Sequence, residues 1–511
     1  MPDLGLDLAS GAPGRAEQRA LRVAQEAAAQ VPAYARFLRL AGYEPARLRT
    51  IDDFRQLPIT DKASYLARYP LPQRCRRGDL TRAHIVTLSS GSAGPATLWP
   101  RYPEQEGPLL AAVSGVLQEH FRVRQRWTLV VLAQAIGAWG FATSMKLVCQ
   151  RLFAQPDVRG TVVSPGLNGD DVLGFVEQLG PEYDQTLLVS YPAILPPLLA
   201  AGARRGLDWR RLNTCVLASG QALSEPQREE ILGYLGRDPE RLEGCVAVFG
   251  ASEVAGMLGY ESVLCLLLRR LCVRRPELCE ALFGSPQLPS LHQYNPLASY
   301  LEVHDGELLL TIRGAVPLVR YNTHDRGGLL SFEEVVARCR AQGIDLAVEL
   351  RARGHDPRSV RPLPFMYAFG RSDAVIVSGG NVYRDEVAGA LDQPPLRATA
   401  TGLFDLAAHQ DAAGHTTLHV TAELRPGVVP TAELRAQYAQ GIREWLRHVN
   451  SIFRTVYEAS DGRIQVAAEL VPYGALAARG PKQARLELSE PAAAPAATDR
   501  DGAPDRSGPL G

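Results

Sequence analysis

Residues Leu88–Thr97 read L-S-S-G-S-A-G-P-A-T. They follow a short apolar run, Ile85-Val86-Thr87-Leu88, whose branched residues suit a buried strand. Glycine and small hydroxyl residues then crowd together. Nothing bulky would keep an anion from the backbone N–H groups or from the hydroxyls of Ser89, Ser90 and Ser92. The stretch suits a polyphosphate cradle. It also suits an ordinary turn between two strands, the commoner use of such residues. No G-K-[ST] follows, so it is not a Walker A loop. What the loop does depends on what else in the chain answers it.

Around it, strands and helices alternate. Trp127–Leu132, Thr161–Val163, Leu187–Ser190 and Cys215–Ala218 read as strands. Pro108–Phe121, Ala138–Leu152, Gly169–Leu179, Pro192–Arg205 and Glu225–Leu235 read as helices. This cadence predicts an α/β fold with a doubly wound parallel sheet, whose ligands gather at the carboxyl ends of the strands. Ahead of the loop, Ala16–Gln30 and Tyr34–Ala41 are expected helices, and Thr60 a helix N-cap. From Tyr300 the texture changes. Tyr300–Val303, Glu307–Ile312 and Leu318–Tyr321 are short strands, a small antiparallel or barrel-like section. After Val375–Val377 come a turn at Ser378-Gly379-Gly380-Asn381, a helix at Asp385–Leu391, a strand at His415–Glu423, a long helix at Thr431–Asn450 and a strand at Ile464–Pro472. The expected organisation is a large N-terminal domain over 1–369, a smaller mobile α+β domain over 370–488 and a disordered Pro/Ala/Gly tail over 489–511.

The bulk properties exclude several classes. The chain has 511 residues, 46% hydrophobic and 22% charged, with zero net charge. That balance argues against nucleic acid or an anionic membrane as its main partner. Met1–Arg15 is polar and no apolar run is long enough to span a bilayer, so a cytoplasmic protein with reduced thiols is expected. Arg far outnumbers Lys, which marks each lysine as a candidate for a specific role. No C-x-x-C occurs, and Cys265, Cys272 and Cys279 recur every seven residues, as small apolar groups along one helix face would.

Four further stretches have the composition of functional loops. They are Leu217-Ala218-Ser219-Gly220-Gln221-Ala222-Leu223-Ser224, Val248-Phe249-Gly250-Ala251-Ser252-Glu253, Val319-Arg320-Tyr321-Asn322-Thr323-His324-Asp325-Arg326-Gly327 and Phe369-Gly370-Arg371-Ser372-Asp373. In this order, with the Ser/Gly loop ahead of them, they resemble the adenylate-forming (AMP-binding) superfamily of acyl- and aryl-CoA ligases, adenylation domains and luciferases, in particular its phenylacetate–CoA ligase branch. The resemblance runs over roughly residues 50–486.

The resemblance implies an ATP- and Mg²⁺-dependent ligase. Ser89, Ser90, Gly91, Ser92 and Gly94 would hold the β and γ phosphates, and Ser219, Gly220 and Gln221 would wall the adenine pocket. Phe249, beside Gly250, would pack on the adenine or the acid. Ser252 would touch the α-phosphate, and Glu253 would hold Mg²⁺ as a hard carboxylate donor. Asp325 would take the ribose hydroxyls, Arg371 the ribose or phosphate, Asp373 the hinge, and Lys482 the place of the catalytic lysine. The implied partners are a small carboxylic acid, aryl or arylacetic, and CoA as acceptor. An amine, a carrier-protein thiol or a small nitrogen nucleophile is the alternative acceptor, and a non-catalytic nucleotide- or acyl-binding relative the alternative class. Homodimers are frequent in this branch. Trp139, Phe141 and Ala218 are expected to build the acid pocket.

The chain also departs from the pattern. Pro95 or Ala96 stands where the phosphate loop usually has lysine, and His324 where glycine is usual. The segment after Asp373 is short, without its usual lysine near Val377, while Ser378–Asn381 keeps glycine. Residues Glu261–His292 read as an insertion that shapes the acid pocket or an oligomer contact.

Overall fold

The computed structural model describes residues 12–88, 97–137, 140–192, 194–220, 222–254, 256–371, 374–378, 380–411 and 414–476. A hairpin of β1 (Ile85–Leu88) and β2 (Leu98–Arg101) flanks the Ser/Gly stretch. Next come β3 (Thr128–Ala133), β4 (Gly160–Val163), β5 (Gln185–Ser190), β6 (Cys215–Ser219) and β7 (Cys245–Phe249). These five are parallel, in the order β4-β3-β5-β6-β7. Every residue of β3, β5 and β6 is buried. Such strands need near-continuous apolar sequence because helices cover both faces. Helices Gly140–Phe153, Gly169–Leu179, Leu195–Arg204 and Glu225–Tyr234 follow β3, β4, β5 and β6 and provide that cover, making one core on each face. The strand order reverses between β3 and β5, the switch point at which a crevice opens.

The antiparallel section expected after Tyr300 is present, and its strands continue the same sheet. They are β8 (Gly259–Tyr260), β9 (Ser290–Tyr294), β10 (Ser299–His304), β11 (Glu307–Ile312), β12 (Leu318–Leu330) and β13 (Phe365–Arg371). The full order is β10-β11-β12-β13-β9-β8-β7-β6-β5-β3-β4, eleven strands. Helices Ala12–Gln30 and Pro32–Leu40 pack on the β10–β12 end through Ala24, Tyr34, Leu38 and Leu318. Among the described residues, no helix is long and apolar enough to cross a membrane.

Two local expectations are corrected. Thr60 is not a helix cap. Its hydroxyl donates to Val319 O at 3.0 Å, and it bridges to Tyr321. Asp61 caps the short turn Lys62–Leu66 instead, accepting from Ser64 N in a capping box. Cys265, Cys272 and Cys279 do not share one helix. The first helix ends at Arg274, and Pro276, which cannot continue it, opens Pro276–Phe283 with Cys279 inside. All three thiols are buried.

Among the described residues from Ala374 onward, no strand joins the large sheet. β14 (Ala374–Val377) pairs with β15 (Gly380–Tyr383), and β16 (Ala400–Gln410), β17 (Thr416–Leu424) and β18 (Ile464–Val471) form a three-stranded sheet. Helices Ala432–Val449 and Ser451–Ala459 cover it, and Val420, Tyr438, Ile442, Leu446 and Phe453 lie in its core. Buried Asn450 is the corner of this region. Its Oδ1 accepts from Phe453 N at 2.8 Å, capping the second helix, and its Nδ2 donates to Asn381 O at 2.8 Å and Glu386 Oε2 at 2.9 Å. Asn450→Ala removes a cap and leaves a buried carboxylate oxygen short of a donor. A loss of about 2 kcal/mol in denaturant unfolding is expected.

Candidate functional site

A cleft of about 1120 Å³ opens at the carboxyl ends of β5, β6 and β7. Single small-molecule pockets run from roughly 300 to 1,000 Å³, so this one has room for more than one small ligand. Eight of the residues singled out in the sequence line it: Ser219, Gly220, Phe249, Gly250, Ser252, Glu253, Asp325 and Arg371. Ser89, Ser90, Gly91, Ser92, Gly94, Trp139, Gln221, Asp373, Gly379, Lys482 and the tail 489–511 lie outside the described residues. Leu88 and Thr97, which bracket the Ser/Gly stretch, both line the cleft.

Local chemistry fixes each wall. Gly220, at the end of β6, has φ +78°, and a Cβ there would meet the Tyr191 ring at 3.0 Å. Only glycine serves both constraints without strain. Buried Ser219 accepts from Gln134 Nε2 at 2.7 Å, which ties the ends of β3 and β6 together. At the end of β7, Gly250 lies so close to the Gly256 carbonyl that a Cβ would fall 1.8 Å from it. Phe249 turns its ring toward His292 on β9, centroids 5.5 Å apart. Ser252 donates to Leu88 O at 3.3 Å, joining this turn to the strand that leads into the Ser/Gly stretch.

The ionisable groups come from distant parts of the chain. Asp325 on β12 stands directly across from Arg371 on β13. The Arg371 guanidinium lies over the Tyr383 ring, 5.2 Å from its centroid. His324 sits beside them at φ +59°, the left-handed conformation that explains why glycine suits this place. Its imidazole lies 3.6 Å from Glu307 and 3.9 Å from Asp61. Desolvation raises the Glu253 carboxyl above its ordinary pKa. Its own backbone N–H, then Arg371 and Lys62, oppose that shift. Glu253 is a hard oxygen donor on the wall of a wide cleft, with Arg371 and Lys62 near by, and suits a ligand that brings its own divalent ion.

Sequence reasoning missed several lining residues. Lys62, in the capped turn after Asp61, is the most consequential, and the scarcity of lysine was the signal pointing to it. His292, and Asn381, His409, Thr416 and Thr455 from the C-terminal region, also face the cleft. Phe141 lines it as expected. Ala218 does not: it is buried in the core between β6 and the helices, because its neighbour Ser219 takes the strand end.

Glu253 also makes a stability prediction. A carboxyl pKa raised by folding means that the native state holds its proton more tightly than the unfolded chain. Stability therefore falls as pH rises from the unfolded value through the folded one, and stays lowered at neutral pH. Glu253→Gln is expected to raise the melting temperature at pH 7 and to lose that advantage near pH 4, read by thermal denaturation across pH.

No family model matches the chain, and no curated protein matches it. Solved structures do. 2-Hydroxyisobutyryl-CoA ligase, in complex with 2-HIB-AMP and CoA in the thioesterification state, aligns over 90% of this chain and 86% of its own, with a TM-score of 0.59 at 15% identity. The same ligase in the postadenylation state, in complex with R3-HIB-AMP, aligns over the same shares with a TM-score of 0.51, also at 15% identity. The likeness is one of architecture: an eleven-stranded mixed sheet, a cleft at its carboxyl ends and a smaller sheet region after it, so the chain has the acyl-CoA synthetase fold.

Proposed function

We propose that this protein is an ATP- and Mg²⁺-dependent ligase that joins a carboxylic acid to AMP and then transfers the acyl group to CoA. The observation that carries the reading is the meeting of Glu253, Asp325 and Arg371 in one cleft, beside the Ser219–Gly220 and Phe249–Gly250 strand ends. Glu253, Asp325 and Arg371 lie on one turn and two different strands, spread over residues 253–371. A shared cleft is what a common ligand would require.

The chemistry fits the residue types. A carboxylate oxygen attacks the α-phosphorus and pyrophosphate leaves. A thiolate then attacks the acyl carbon and AMP leaves. Both steps bring anions together, so the protein must position reactants and neutralise charge. Lys62 and Arg371 supply cations to the cleft. Lys62, on the cleft wall, would meet phosphate charge in place of the lysine that the Ser/Gly stretch lacks. Glu253, with the hydroxyl of Ser252 close by, would hold Mg²⁺, which neutralises phosphate oxygens when bound. Asp325 offers a carboxylate to the ribose hydroxyls. Lys482 is the proposed catalytic lysine, with Ser89, Ser90, Gly91, Ser92 and Gly94 as phosphate loop, Gln221 in the adenine wall and Asp373 as hinge. The boundary between a large domain and a mobile cap falls there, and rotation of the cap would shield the adenylate from water. The acid is aryl or arylacetic: Phe141, Phe249, Tyr191 and Leu258 give the cleft flat apolar walls.

Pyrophosphate exchange across a panel of aryl, arylacetic and short hydroxy acids tests the reading. Exchange with at least one aromatic acid is expected, and none with any acid would overturn it. Lys62→Met is expected to lower the exchange rate about 10²-fold, the usual effect of removing one charge-stabilising donor. Lys482→Ala is expected to lower adenylate formation by a similar factor while nucleotide binding by calorimetry persists.

A further inference from the structure

The segment that reads from sequence as an insertion, 261–292, reaches the cleft from behind. It contributes helix Val263–Arg274 and most of β9. Arg269 on that helix is 3% exposed and lines the cleft. Its three nitrogens are all engaged. Nε donates to Glu225 Oε1 at 2.7 Å, one terminal nitrogen donates to Pro289 O at 2.7 Å, and the other to Leu223 O at 2.8 Å. Nε also lies 3.3 Å from Glu261 Oε1.

The two carbonyls matter most. Leu223 belongs to the loop between β6 and helix Glu225–Tyr234, the loop that carries Gly220 and Ala222 to the cleft. Pro289 directly precedes β9, which carries Ser290 and His292 to the same cleft. One planar guanidinium therefore ties together two segments that line the cleft, the second of which brings His292 against Phe249. Loop carbonyls have no ladder partner, so their position depends on such a donor. A fork with fixed geometry sets a distance; a flexible ammonium does not.

Arg228 provides the contrast. It shares both carboxylates, donating to Glu225 Oε1 at 3.1 Å and Glu261 Oε1 at 2.6 Å. Its remaining donor goes to Cys245 O at 2.7 Å, at the start of β7 inside the sheet. Burial alone would raise the Glu225 carboxyl, but Arg228 and Arg269 together hold it down at about 2. The two arginines thus carry the same charge to the same carboxylates and differ in what else they hold.

We propose that Arg269 is a positioning residue for the nucleotide: its fork fixes Leu223, beyond the Ser219–Gly220 strand end, against Pro289 at the start of β9, and so sets the wall on which a flat base would rest. This deepens the ligase reading and rests on it. The segment 261–292 is then a brace for the nucleotide wall, a role beside the acid-pocket or oligomer one expected from sequence.

Arg269→Lys keeps the charge balance and breaks the fork. Arg228→Lys does the same to the carboxylates while sparing the loop. Full-length wild type and both variants are titrated with ATP and with AMP by calorimetry, and melted in parallel. Arg269→Lys is expected to weaken both nucleotides about tenfold or more, since misplacement by about an ångström costs up to 10²-fold. Its KM for the acid in pyrophosphate exchange should stay within about twofold, and Arg228→Lys should melt lower with unchanged nucleotide affinity. Should Arg269→Lys not fold, Arg269→Gln with Glu225→Gln keeps the charges balanced and carries the same expectation. Wild-type affinity in the variant that breaks the fork, or equal weakening by both arginine variants, would overturn the proposal. A wild type that binds no nucleotide would instead remove the ligase reading, and the positioning role with it.

Discussion

One hydrogen-bonded sheet running without a break from β4 to β10 is the constraint on which the cleft depends. Parallel strands deliver their loops to one edge, and that alone places Ser219, Gly220 and Phe249 together. The antiparallel strands then extend the sheet so that Asp325 and Arg371 meet in register across β12 and β13. Register in a sheet is a strict condition, because a slip by one residue moves every side chain to the other face. A bulge between Arg326 and Gly327 separates that pair from the rest of the ladder, where Phe365, Met366 and Ala368 of β13 are buried against β9.

Close backbone packing at the ends of β6 and β7 has a cost that the chain meets with glycine. At Gly250 no side chain fits against the Gly256 carbonyl, and at Gly220 neither the φ angle nor the Tyr191 ring tolerates one. Where a side chain does occupy a left-handed position, at His324, it lies in the cleft beside Asp325. His324 sits where a bulge interrupts the β11–β12 pairing, between the Glu307–Arg326 and Leu309–Asn322 pairs, and its backbone N–H donates to Asn322 Oδ1 at 2.7 Å.

The electrostatics follow from the same geometry. Glu225 is buried in the cleft wall, but Arg228 and Arg269 hold its carboxyl well below the usual carboxylate range, and Glu261 pairs with the same two arginines. Glu253 is at the cleft wall, desolvated, and opposed less strongly by Arg371 and Lys62. Glu225, clasped by two guanidiniums, belongs to the brace, while Glu253, whose carboxyl pKa burial raises at the cleft wall, is the carboxylate offered to a ligand.

Much of this was legible in the chain. Residue periodicity placed most helices and strands, and Gly169–Leu179 matched to the residue, because apolar spacing reports burial on a repeating element. Gly220, Gly250, Glu253 and Asp325 were singled out through the order of the motifs rather than any one of them, and the fold brings these four to one cleft. What tertiary structure alone decided was everything set by partners distant in sequence. Thr60 is held by Val319 rather than capping a helix, Ala218 goes to the core rather than the pocket, and Lys62 and Arg269 reach the cleft from turns and helices with no motif of their own. A sequence shows which groups a chain owns. Only the packing of one sheet against its helices determines which of those groups share a cleft.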